Sequence, residues 1–170
     1  MTLPELQSKQ YPLEILTEYY LMQCVVEPVG MLMTFLDAPD HVNILVKNLT
    51  MISLGTDSRV DTIKTKELWV KRSEIVMIRL DEAHLEGAVQ KLPAVEKLRL
   101  FMPRFVVQGT VTRGEDTRLG DMFDVMKGVW VAVSNAQVFP HTAMKSQVFH
   151  EAPFLLLNKN RIRFYEAIES

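Results

Sequence analysis

The chain has 170 residues, 48% hydrophobic and 24% charged, with a formal net charge of −2. That is the balance of an ordinary soluble globular protein with enough chain for a substantial core, and it argues against a strongly basic nucleic-acid binder. The single cysteine, Cys24, excludes an intramolecular disulfide, and no apolar run approaches the roughly 18 residues of a membrane span.

The N-terminus lacks the basic stretch and apolar core of a secretion signal, so a cytoplasmic protein with no membrane association is expected. Residues 1–12 are largely polar, carry Pro4 and Pro12, and read as a loosely docked arm. Aromatic and β-branched residues then favour a strand over 18–27, in which Cys24 lies among Leu21, Met22, Val25 and Val26 as a small core residue. Leu32, Phe35 and Leu36 follow at the i, i+3, i+4 spacing of about two helical turns, closed by Asp37 as a cap or turn residue.

The stretch 41–52 organises the rest. Val42, Ile44 and Val46 alternate on one face, the alternation slips by one residue at Asn48, and it resumes at Leu49 and Met51. A one-residue slip turns the apolar set to the other face unless the strand bends or bulges, and Asn tolerates the left-handed backbone such a bend needs. The same pattern returns 87 residues later as Val129, Val131 and Val133, a slip at Asn135, then Ala136 and Val138. Arg104 to Thr112 answers the strand at 18–27, and Leu119, Met122, Phe123 and Asp124 answer the short helix and Asp37. Downstream of each bent strand come an apolar strand (68–70, 155–157), a polar tetrad (Lys71-Arg72-Ser73-Glu74, Asn158-Lys159-Asn160-Arg161) and a second apolar strand (75–78, 162–165). Seven identities fall on this register between Leu32 and Ile75, among them Leu32/Leu119, Asp37/Asp124 and Asn48/Asn135. Between the copies, Leu85, Ala88, Val89 and Leu92 lie at i, i+3, i+4, i+7 and predict a helical connector broken or restarted at Pro93.

The chemistry-bearing residues form no recognised set. His41, His84, His141 and His150 lack metal-ligand spacing, and Asp116, Asp121 and Asp124 lack the order of a calcium loop, reading instead as a solvated, capping turn. No phosphate loop, dinucleotide fingerprint or nucleophile elbow occurs, so no catalytic, cofactor or metal residue is assigned and the chain is not read as an enzyme. The candidate contact surface is the pair of tetrads, where Lys71, Arg72, Lys159 and Arg161 would present cations to an anion or nucleic-acid backbone.

Each half resembles a small Sm-like β-barrel, on its bent strand to Asn48 or Asn135, the apolar strand, the short polar turn, and Ile75-Val76-Met77-Ile78. The resemblance implies a turn that contacts RNA, which points to Arg72 and Lys71. The resulting expectation is a mainly β (α+β) fold: a first repeat over 13–80, a helical connector over 81–103 and a second repeat over 104–170. Two small barrels packed together and one barrel sharing strands from both halves both fit. The expected function is a non-catalytic binding or assembly module with an unknown protein partner, self-association included. The alternative is an Sm-like nucleic-acid-binding module of weak affinity, and an unassigned small-molecule-binding protein or enzyme comes third.

Overall fold

The computed structural model describes residues 8–85, 87–145 and 148–169. The strands follow the apolar alternation: β1 (Tyr11–Leu16) buries Tyr11, Leu13 and Ile15, and β2 (Tyr20–Val26) buries Leu21, Met22, Cys24 and Val26. Tyr11 and Pro12, read as part of an arm, are the start of β1, and the first seven residues of that arm lie outside the described residues. Then come α1 (Leu32–Asp37), the long β3 (Asn43–Ser53), β4 (Thr62–Lys71), a 3-10 turn at Arg72–Glu74 and the short β5 (Met77–Arg79).

The second run repeats that order: β6 (Ala94–Met102), β7 (Phe105–Arg113), α2 (Met122–Val125), β8 (Trp130–Pro140), β9 (Glu151–Asn158), a 3-10 turn at Lys159–Arg161 and β10 (Phe164–Ala167). β3 and β8 begin and end 87 residues apart, as do the two 3-10 turns. The earlier strands correspond at a spacing of 85: Tyr20 pairs with Ser53 as Phe105 pairs with Pro140, and Leu16 pairs with Met77 as Phe101 pairs with Phe164. The spacing changes from 85 to 87 between the paired part of β7 and α2.

All ten strands join one antiparallel sheet in the order β10-β6-β7-β8-β9-β5-β1-β2-β3-β4. The fold is mainly β, as expected, but two separate barrels do not form: β5 pairs with β9, and the sheet continues from one run into the other. The helical connector over 81–103 is also replaced. A 3-10 turn at Glu82–Leu85 is followed by β6, where Leu98, Leu100 and Met102 are buried in the period of two that a strand imposes. Leu85, Ala88, Val89 and Leu92 keep their helical spacing only in sequence, since they lie in the 3-10 turn and the turn before β6, while Val95 to Met102 are drawn into the sheet, where β6 supplies the backbone partners of both β7 and β10. No helix among the described residues is long and apolar enough to cross a membrane.

The core is two apolar clusters that interlock. One gathers β6–β10 with Leu16, Leu21, Leu54, Val76 and Met77 of the first run; the other gathers β1–β5 with Trp130, Phe154 and Leu156 of the second. β9 is buried on both faces, Leu155 and Leu157 entering one cluster and Leu156 the other.

Candidate functional site

Asn48 and Asn135 have φ of 50° and 49°, in the left-handed region. Each sits where the ladder to the preceding strand shifts by one residue, between Gln23 and Val25 for β2 and between Gln108 and Thr110 for β7. The extra residue bends the long strand and lets Ile44, Val46 and Leu49, or Val131, Val133 and Ala136, all reach the core.

The four cations of the tetrads are unequally placed. The Arg72 guanidinium donates to the carbonyls of Leu36 (3.3 Å) and Ala38 (2.6 Å), which α1 leaves open at its C-terminus. Lys159 repeats this role at α2, donating to Phe123 O (3.3 Å) and Met126 O (2.8 Å). Arg161 pairs with Glu18 across the two runs. The Lys71 side chain is exposed at the end of β4 and makes no hydrogen bond or ion pair among the described residues. The geometry therefore does not gather the four into one basic patch; three of them hold the scaffold.

The two aspartates differ as well. Asp37 accepts the Val129 N–H at 2.9 Å, and a Cβ on Gly128 would stand 2.6 Å from its Oδ1, so glycine there makes room for the carboxylate. Beside it Trp130, 6% exposed, donates its indole N–H to Leu36 O at 3.1 Å. This seam ties α1 of the first run to β8 of the second. Asp124, the counterpart of Asp37, lies exposed. Among the described residues no three His, Cys, Asp or Glu side chains cluster where they could hold a metal ion.

A second seam is built by backbone. Met77, Ile78 and Arg79 of β5 pair with Leu157, Leu156 and Leu155 of β9. The Asn158 N–H donates to Val76 O (3.0 Å) and its side-chain amide to Ile75 O (3.0 Å), which closes the ladder. The strands in the corresponding places, β4 and β10, are the two ends of the sheet, and their outer edges are unpaired among the described residues. Those edges carry large apolar side chains in the open: Trp69 is 67% exposed and Phe164 72%. Their counterparts at the seam, Leu156 and Met77, are both 0% exposed.

Sequence reading could place Trp69 in a strand but could not show it exposed, because exposure depends on β4 being terminal in the sheet. No protein-family model, curated protein or solved structure matches the chain.

Proposed function

We propose that the chain is a non-catalytic assembly module that binds a second copy of itself, the β4 edge of one copy taking the β10 edge of the next. The reading treats the two runs as copies of one structural unit. One observation carries it: the strands that match the two sides of the β5–β9 seam stand at the opposite ends of the same sheet, each with an edge unpaired among the described residues and each exposing a large aromatic side chain, Trp69 or Phe164. A long, exposed edge strand with apolar side chains is a template for strand addition. Transposing the internal register by 87 residues pairs Phe164, Tyr165 and Glu166 of one copy with Val70, Trp69 and Leu68 of the next. Such a contact is head-to-tail, so repetition gives a ring where the rotation closes and a filament where it does not.

Light scattering after size separation tests this. The wild type should run as a multiple of the 19.5 kDa chain. Trp69→Glu blocks one end and Phe164→Glu the other, so each alone should be monomeric. Mixed in equal amounts they should form dimers, because each variant keeps the end that the other has lost. A mixture that stays monomeric, or a Trp69→Glu protein of wild-type mass, defeats the reading.

A further inference from the structure

A polar cleft of about 510 Å³ opens where parts of both runs meet around Arg104. The turn between β6 and β7 consists of Pro103 and Arg104, and Arg104 has φ 68°. Proline followed by a residue of positive φ is a type II turn, in which glycine is the comfortable second residue and a long side chain is strained. Strain of this kind collects at binding sites, so the side chain's surroundings are informative. Arg104 Nε is buried without a hydrogen-bond partner, and the guanidinium lies 5.7 Å from the centroid of the Tyr19 ring. No carboxylate or carbonyl among the described residues meets this fork. A guanidinium held over an aromatic ring, with no protein group taking up its donors among the described residues, is arranged for bidentate capture of an oxyanion.

The walls are held in place by one bond within the second run and one between the runs. Arg104 O accepts the His141 N–H (2.9 Å) and Leu54 O accepts the Lys145 N–H (2.9 Å), which fixes the β8–β9 loop against the β6–β7 turn and the β3–β4 loop. Lys145 also pairs with Asp61. Thr56 and Thr142 line the cleft from these two loops and add hydroxyl groups, while Tyr20 adds a second aromatic side chain. Asp57, exposed, is the one acidic residue in the lining and opposes an anion.

We infer that this cleft is a binding site for a small molecule that carries an oxyanion, a carboxylate or a phosphate monoester, with Arg104 as the group that clasps it. The cleft volume lies within the range of small-molecule sites. The site is separate from the sheet edges and does not rest on the assembly reading.

The test is a titration of the full chain with inorganic phosphate and, separately, with acetate, at constant ionic strength. The Arg104 Nε–H resonance reports contact, because a buried Nε–H exchanges slowly enough to observe. Saturable movement with phosphate identifies a phosphate-type ligand, and movement with acetate identifies a carboxylate; either supports the site. Arg104→Gly is the informative variant, since glycine suits φ 68° and the protein should be at least as thermostable as the wild type. It should nonetheless bind the active probe about tenfold or more weakly, as loss of a charge-assisted contact implies. Asp57→Asn should tighten binding, because a repelling charge is removed. If neither probe moves the resonance, or if Arg104→Gly binds as the wild type does, the inference is overturned.

Discussion

β4 and β9 occupy the same place in their runs and lead into the same kind of 3-10 turn, yet only one of them is covered. β9 buries Ala152 and every residue from Phe154 to Asn158, whereas β4 buries Val70 alone. The sequences differ accordingly: β9 carries Phe154-Leu155-Leu156-Leu157 before Asn158, whereas β4 has Ile63 among threonines, Lys64, Lys66 and Glu67 before Leu68, Trp69 and Val70. The comparison teaches that chain pairing is shared between the runs while side-chain composition answers to what lies outside. Asp37 and Asp124 show the same division, one bonded across the seam and the other in solvent.

The largest effect should come from the seam's own anchor. Trp130→Ala removes a buried indole and its hydrogen bond to Leu36 O, and should lower stability by about 3–5 kcal/mol in chemical denaturation, as truncation of a large core aromatic does. Asn43, in the corresponding position of the first run, is exposed, and Asn43→Ala should leave the midpoint nearly unchanged. Equal losses from the two would erase the distinction between covered and uncovered faces.

A middle-sized effect sharpens what the runs share. Asn48→Val and Asn135→Val each force a β-branched residue to positive φ and should cost about 1–3 kcal/mol, with Asn→Gly tolerated at both. Opposite the second bend, a Cβ at Gly109 would stand 2.3 Å from Val133 Cγ1, while Cys24 carries a side chain in the corresponding place. Gly109→Ala should therefore destabilise and Cys24→Ala should do so much less, measured by thermal unfolding.

The smallest effect concerns Cys24 itself. Burial pushes its thiol up to about 12. An unfolded thiol ionises near about 8.5, so the folded state holds a proton that the unfolded state releases. The stability this contributes is complete below the unfolded value and is lost as pH rises toward the folded one. Wild type should lose stability more steeply than Cys24→Ala above about pH 9, and identical pH profiles would show that the thiol is not shielded.

What could be read in the residues depended on how local the cause was. The bends at Asn48 and Asn135 were legible because the slip in alternation and the left-handed tolerance of Asn both lie within a few residues. Trp130 was legible as a covered residue because Val129, Val131 and Val133 take one face of its strand while Trp130 and Ala132 take the other, and a strand apolar on both faces is usually covered on both. β6 was not: Val95 and Phe101 blur its alternation, and Leu85, Ala88, Val89 and Leu92 mimic a helical stripe in a segment that forms a turn. The β5–β9 seam was out of reach too, since nothing near Met77 announces a partner at Leu157. The Arg72 and Lys159 side chains pointed to a surface, whereas the open carbonyls of two short helices claim them.

The interlocking of the two clusters bears on how the chain can fold. Leu16, Leu21, Leu54, Val76 and Met77 leave the ribosome well before the strands that cover them, and a first run alone would leave this surface wet. Trp130, Phe154 and Leu156 place the converse demand on the second run. With the core shared in this way, the chain should melt in a single transition, and a truncation after residue 80 should yield an aggregation-prone fragment rather than half a protein.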